Sequence, residues 1–420
     1  MDVEIINTGS ELLLGFVLNT HQQWLCRELA NLGYLVTRQV AVADSAELIE
    51  QAVRESLSRA DLVITTGGLG PTGDDITRER IAHLLGTSLH EDASVVAHIE
   101  SFFANRHRTM PARTRVQALV PEGARVLPNV HGTAPGLVLD IPAGRFRASL
   151  APNLLVMLPG PPRELRPMFA EQVVPLLRER FSSVEEFICR VFRTTGLGES
   201  LVEDKVAAPL GHLTDLGLEI GYCAQVGQVD LRMVARGERA KSIISEAEQI
   251  VRELLCEYIF STEDSLEKII IQLLTERGRT LSVAESCTGG FIAHRLTNVP
   301  GASAAFLNGF VTYSNASKQS MLGVHAETLQ LHGAVSEATA REMAEGARKK
   351  SGADYSIAVT GIAGPAGGTL EKPVGTVFIA IAGERETRVA RNLNRYDRET
   401  FKFVTSQQAL DALRRLILDG

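Results

Sequence analysis

No stretch of the sequence approaches the roughly 20 uninterrupted apolar residues that a membrane span needs, so no membrane partner is expected. The five cysteines, at positions 26, 189, 223, 256 and 287, include no CxxC pair. That argues against a disulfide framework and against a zinc cluster. The opening residues Met1-Asp2-Val3-Glu4 form neither a basic nor an apolar leader, and together with the unpaired thiols they point to a reducing cytoplasm. Cations are in the minority, 43 Lys and Arg against 50 Asp and Glu, for a net charge of −7 with no basic run to offset it. Neutralising a phosphate backbone takes clustered cations, so nucleic acid is not expected as the main ligand.

What is present is ordinary globular material, 45% hydrophobic and 22% charged, in a chain of 420 residues that exceeds one comfortable core. Residues 1–180 alternate β-branched runs (Val3–Ile6, Leu35–Val42, Leu62–Thr65, Leu154–Leu158) with helical periods. Asn19 caps a helix with Trp24, Leu25, Leu29 and Leu32 at helical spacing, and Gly86 stops another. This βα rhythm predicts an α/β domain with a parallel sheet and helices on both faces. Residues 181–262 change character, with strands at 186–194, 219–222 and 229–235 and helices at 199–207 and 242–255. They predict a small α+β domain, read as a spacer or dimerisation unit. A second α/β series fills 263–420, without any internal repeat of the first.

In the last domain, Ala284-Glu285-Ser286-Cys287-Thr288-Gly289-Gly290 sits where a strand gives way to a helix. Open α/β sheets bind their ligands at that edge. Backbone N–H groups near Thr288, Gly289 and Gly290 suit an oxyanion or a phosphate. The plainer alternative is that Ser286 and Thr288 only cap the helix. Further on, Tyr313 ends a strand and Lys318 falls in the first turn of the next helix, in VTYSNASK. A cation is misplaced at a helix N-terminus, but a neutral lysine there is a competent base for a serine hydroxyl. The alternative for Lys318 is a solvated side chain. A third segment, Thr360 to Gly368, carries Gly361, Gly364, Gly367 and Gly368 between two strands, which suits close contact with a phosphate-bearing ligand or else a surface loop. Tyr313 and Lys318 are five apart and no GxGxxG opens this domain, so a nicotinamide-dependent reductase is not indicated. Cys287 is the rival nucleophile, but its motif holds no His or Asp to activate it.

ESCTGG, VTYSNASK, GAVSE at 333–337 and TGIAGPAGGT followed by KPVGTV together resemble the C-terminal domain of the CinA (competence/damage-inducible) family. The resemblance implies a nicotinamide mononucleotide deamidase that needs no metal, with Ser286, Tyr313 and Lys318 as its catalytic set. Ser286 would attack the carboxamide, Lys318 take its proton, and Tyr313 relay a proton or orient Lys318.

In the first domain, Thr66-Gly67-Gly68-Leu69-Gly70 and Asp74-Asp75 follow a strand. The turn is neither GxGxxG nor a P-loop. Adjacent carboxylates beside a phosphate cradle call for a divalent cation, unless Asp74 or Asp75 merely caps the next helix. With Gly9–Gly15, Asn19-Thr20, Asp44, Gly132–Gly136 and LPGPPRE, the segment is similar to the molybdopterin-binding-like, three-layer fold at the CinA N-terminus. That likeness implies ADP-ribose hydrolysis with a divalent metal and sometimes potassium. Thr66, Gly67, Gly68 and Gly70 would then face substrate, and Asp44, Asp74 and Asp75 the metal. The expected partners are these two nucleotides and a second copy in a homodimer. The competing expectation is a competence- or recombination-linked binding protein with vestigial pockets.

Overall fold

The computed structural model describes residues 1–148, 151–181 and 186–419. The chain divides into two compact units, Met1–Ile188 with Arg236–Glu238, and Cys189–Ala235 with Arg239–Gly420. Among the described residues no helix is long and apolar enough to cross a membrane.

The first unit is built on a six-stranded sheet in the spatial order Val36–Val42, Val3–Thr8, Leu62–Thr66, Asn153–Leu158, Gly136–Ile141, Arg125–Leu127. Val3–Thr8 and Leu62–Thr66 are buried along their whole length; Leu62–Thr66 is wholly apolar or β-branched, and Val3–Thr8 is so apart from Glu4, which accepts from Arg59, and Asn7, which accepts from Thr66. Their side chains alternate between two cores. Ile5 and Ile64 pack with Leu25, Leu29 and Phe169 on one face, while Ile6 and Val63 pack with Ile49, Val53 and Ile81 on the other. Asn19 caps the helix Thr20–Asn31 by accepting from the Gln22 N–H. Four strands are parallel, as expected, but Gly136–Ile141 and Arg125–Leu127 run antiparallel, so the sheet is mixed. Only residues 142–152 join Gly136–Ile141 to its neighbour, too few for a helical crossover. Val3–Thr8 lies between the two strands that follow it in sequence, which makes its carboxyl end a topological switch point.

The middle segment forms a four-stranded sheet in the order Glu219–Gln225, Gln228–Arg236, Phe187–Thr194, Ile259–Ser261, with helices Glu199–Thr214 and Ala240–Leu255. The first helix runs seven residues past its expected end at Ala207, straight through Pro209. Val202, Val206, Leu210 and Leu213 continue one buried stripe, and that packing outweighs the backbone bond that proline forfeits.

The C-terminal sheet runs Phe306–Val311, Leu281–Glu285, Tyr355–Gly361, Thr376–Ala382, Thr387–Leu393. Its first three strands are parallel and its last two antiparallel. Here Leu281–Glu285 is flanked by its two successors, so a second switch point falls just before Ser286. One face packs on helices Leu266–Glu276 and Arg398–Asp419 through Ile270, Leu274, Phe401, Leu410 and Leu413. The other packs on Glu337–Ser351 through Met343, Ala344 and Ala347.

Candidate active site

Ser286 follows the strand Leu281–Glu285, second in the sheet, and its backbone N–H donates to the Val359 carbonyl of the neighbouring strand at 3.0 Å. The helix beyond it, Phe291–Thr297, is not capped by Ser286 or Thr288. Glu285 does that work. Its buried carboxylate accepts from the N–H groups of Gly290 (3.0 Å), Ile292 (3.0 Å) and Ala293 (2.9 Å). Ser286 is therefore left half-buried with its hydroxyl available.

The helix Asn315–Leu322 opens with a reciprocal capping box between Ser314 and Ser317. Lys318 comes next and is only 1% exposed. Its Nζ lies 3.0 Å from Ser286 Oγ, 2.8 Å from the Thr312 carbonyl and 3.5 Å from the Tyr313 carbonyl. Burial pushes the amine below the usual lysine range. A neutral amine has two N–H groups for the two carbonyls, which leaves its lone pair facing the serine O–H. Cys287 is also buried, and burial pushes its thiol up to about 12. It is inert as a thiolate at neutral pH.

The expected oxyanion donors are only partly free. The Gly290 N–H is taken by Glu285, and the Gly289 N–H donates to the Ser286 carbonyl at 3.2 Å. The reason is the capping role of Glu285, which draws the helix's first amides to itself. Among the described residues, the amides of Cys287 and Thr288 have no carbonyl or carboxylate acceptor; they face the Cys287 sulfur, a weak acceptor from which an oxyanion can draw them.

Tyr313 departs from expectation too. The strand ends at Val311, and the phenol is 62% exposed and accepts from Arg398 at 2.7 Å. Its backbone carbonyl, rather than its hydroxyl, faces Lys318. Arg398 also donates to the Gly364 carbonyl at 2.9 Å, which ties the glycine-rich loop to Tyr313. Gly361 is required by packing, since a Cβ there would sit 2.7 Å from the Thr376 carbonyl. Gly364, Gly367 and Gly368 lie in the same loop, beyond the carboxyl end of Tyr355–Gly361. Near the Ser286 turn, Lys402 Nζ is 4.0 Å from where a Cβ on Gly289 would be.

In the first unit, Thr66, Gly67, Gly68 and Gly70 line a cleft of about 580 Å³ together with Thr8, Asp44, Asp74 and Asp75. Gly67 holds φ 93°, and a side chain there would meet the Thr8 carbonyl, 2.6 Å from its Cβ position, so conformation and packing both select glycine. The amides of Gly68, Leu69 and Gly70 donate to no protein acceptor among the described residues. Neither aspartate caps the following helix, Thr77–Leu85. Asp75 folds back onto the N–H and hydroxyl of Thr72, and Asp44 accepts from the Ser10 N–H at 2.8 Å. No three ligating side chains converge among the described residues, so the expected Asp44–Asp74–Asp75 metal set is not assembled. Asp44 and Asp75 each answer a local backbone donor instead of a common centre.

Three family models account for nearly the whole chain. "CinA C-terminal domain" matches residues 263–417, "Damage-inducible protein CinA KH domain" residues 189–261, and "Probable molybdopterin binding domain" residues 4–179. A CinA-like protein of Akkermansia muciniphila is 44% identical over 98% of this chain and 96% of its own. This chain belongs to the CinA family. Another CinA-like protein, from Gemmatimonas aurantiaca, is 42% identical over 99% of this chain and 96% of its own. Among solved structures, the competence/damage inducible protein CihA from Agrobacterium tumefaciens is 47% identical, covers 36% of this chain and 93% of its own, and has a TM-score of 0.34. The CinA KH-like segment has no two glycines three residues apart, the loop by which KH modules clamp a nucleotide backbone.

Sequence reading missed four residues that this CinA fold brings to its sites: Glu285, Arg398, Lys402 and Glu164. Glu285 stood inside the quoted motif, and a carboxylate one residue before a helix-forming turn was the available signal. Glu164 is buried in the first cleft, accepts from the Asn129 amide at 2.8 Å, and has its carboxyl pushed up chiefly by burial. Arg398 and Lys402 lie some 85 residues beyond Tyr313 and carried no local signal.

Proposed function

We propose that the C-terminal domain hydrolyses the carboxamide of nicotinamide mononucleotide to nicotinate mononucleotide and ammonia. The observation that carries this reading is the buried Lys318 amine 3.0 Å from the Ser286 hydroxyl. Lys318 takes the proton as Ser286 Oγ attacks the amide carbon. The amides of Cys287 and Thr288 donate to the developing oxyanion. As the C–N bond breaks, Lys318 returns the proton to the leaving nitrogen, and ammonia departs. Lys318 then deprotonates a water, which cleaves the acyl ester, frees the carboxylate and restores Ser286. Arg398 and Lys402, both without a carboxylate partner among the described residues, supply positive charge for the 5′-phosphate.

The first domain, in the same proposal, hydrolyses ADP-ribose. Supporting it are the cleft volume, its place at a switch point, and three free amides in the glycine turn. The working form proposed is a cytoplasmic homodimer acting on small nucleotides. An intact serine–lysine pair favours an enzyme over a binding protein with vestigial pockets.

Ammonia release from nicotinamide mononucleotide by the purified protein tests the main reading. Turnover that is lost in Ser286→Ala supports it. A folded protein that releases no ammonia from this substrate overturns it.

A further inference from the structure

Glu164 is the buried carboxylate on the wall of the first cleft; the others there, Glu11, Asp44, Asp74 and Asp75, are exposed or half-buried. The fold holds its carboxyl from several sides. Oε2 accepts from Asn129 Nδ2 at 2.8 Å, and the buried Asn129 amide also donates to the Ala134 carbonyl at 2.8 Å and accepts from the His131 N–H at 3.1 Å. Gly132 makes room for the carboxyl, since a Cβ on that residue would collide with Oε2. His98 steadies the same turn through the Gly132 carbonyl at 3.0 Å. The second oxygen, Oε1, has no hydrogen-bond partner among the described residues. Its ion-pair contact, Arg163 Nε, is 3.9 Å away on a side chain that is 80% exposed.

The glycine turn reaches this cleft from the adjacent strand. Leu62–Thr66 and Asn153–Leu158 are parallel neighbours, and the segments that follow both line the cleft. The first segment carries the free amides of Gly68, Leu69 and Gly70, and the second, 159–164, carries Glu164. The two segments touch. The Gly67 N–H donates to the Leu158 carbonyl at 3.0 Å, and the Cβ position of Gly160 is 3.7 Å from Gly67 Cα. Amides can receive phosphate oxygens but cannot take a proton from water, and hydrolysis needs a group that does.

We propose that Glu164 is the proton acceptor for the water that hydrolyses a diphosphate ligand in this cleft. The role rests on the hydrolase reading of the first domain. The water oxygen forms a bond to one phosphorus as its proton passes to Glu164 Oε1. The bond from that phosphorus to the bridging oxygen breaks, and its electron pair leaves with the second phosphate. Glu164 then returns the proton to the released phosphate, so two phosphomonoesters form and the carboxylate is restored. Burial pushes the carboxyl above the usual glutamate range, and Asn129, Arg163 and His131 oppose that shift only in part. The other ionisable groups on the cleft wall are His21 and the four carboxylates named above. A carboxylate raised in this way is a stronger base than an ordinary glutamate.

Hydrolysis of ADP-ribose by the full chain, followed across pH with a divalent cation at fixed concentration, tests the role. For the wild-type protein kcat/KM should rise with pH along a single-proton limb whose midpoint lies above about 4.3. Glu164→Gln still accepts from Asn129, so it should fold, lose the limb and lower kcat by about 10²–10⁴-fold. By calorimetry its affinity for an ADP-ribose analogue with a methylene bridge between the phosphates should stay close to that of the wild type. Glu164→Ala leaves space for a small carboxylate, and formate should restore part of its rate without helping the glutamine variant. If the glutamine variant keeps the wild-type rate or limb, or formate leaves the alanine variant inert, the role falls and the hydrolase reading stands. The role also falls if the glutamine variant loses affinity for the analogue rather than kcat. A wild-type protein that leaves ADP-ribose intact overturns the hydrolase reading and this role with it.

Discussion

The Lys318 amine and the Ser286 hydroxyl are 3.0 Å apart, brought together from turns that follow two adjacent parallel strands. Two backbone carbonyls are the amine's other partners, and its charge is opposed chiefly by burial. A base held this way works only when neutral. The deamidase kcat/KM should therefore rise with pH as Lys318 loses its proton, along a single-proton limb that ends below the ordinary lysine pKa of about 10.4. A rate that falls across that limb would rule out Lys318 as the base.

Replacing Lys318 with Met should lower turnover by at least ~10³-fold and raise thermal stability together. The sign follows from linkage. The folded-state pKa is depressed, so at low and neutral pH the unfolded chain binds this proton more readily, and the lysine costs stability there. Methionine removes that cost. The gain in Tm should be largest at low pH and vanish as pH rises past about 10.4, above which lysine is neutral in both states. Melting curves across pH check this, and a variant that melts lower throughout contradicts it.

Ser286→Ala should abolish ammonia release, while Cys287→Ala should retain most of it. The thiol is 6% exposed and pushed up to about 12, so iodoacetamide should label it slowly and leave activity intact. Inactivation in step with Cys287 labelling would transfer the nucleophile's role to the thiol.

Glu285 accepts three N–H groups through two oxygens, and glutamine keeps one of those oxygens. Glu285→Gln should cost about 1–3 kcal/mol of stability. By loosening the turn that carries Ser286 it should also lower kcat by about 10²-fold with little change in KM. A stability loss with kcat unchanged would confine Glu285 to the helix cap.

Tyr313→Phe removes only the hydroxyl that accepts from Arg398, so kcat should stay within a few-fold of wild type. Arg398→Ala removes a cation and the tie to the Gly364 carbonyl, and KM should rise by roughly 10–100-fold. Steady-state kinetics separate the two. Collapse of kcat in Tyr313→Phe would return the phenol to the proton path.

Much of the architecture was legible because its signals are local. Leu62–Thr65 reads as a strand from its own residues and is found one residue longer, and Gly86 reads as a helix stop, which it is at φ 55°. The helix Arg398–Asp419 was not legible. It buries Thr405, Ser406, Gln407, Asp411 and Arg414 alongside Phe401 and Leu410, and those polar residues blur the apolar period that marks a helix. They are buried because they find partners far away, as Arg414 does at the Glu257 carbonyl and Ser406 at Arg295.

The sequence alone determined the reactive residue types, their place at strand ends, and membership of the family, since strand-to-helix turns and glycine motifs depend on neighbours a few residues apart. Only the tertiary structure decided which groups act on one another. Ser286 is 32 residues from Lys318, and Tyr313 is 85 from Arg398. Which amides of the Ser286 turn remain free depends on how Glu285 orients its carboxylate, and whether Asp44 and Asp75 share a centre depends on which backbone donors they meet first. Such choices are made by packing and hydrogen-bond satisfaction across the fold, and no local pattern encodes them.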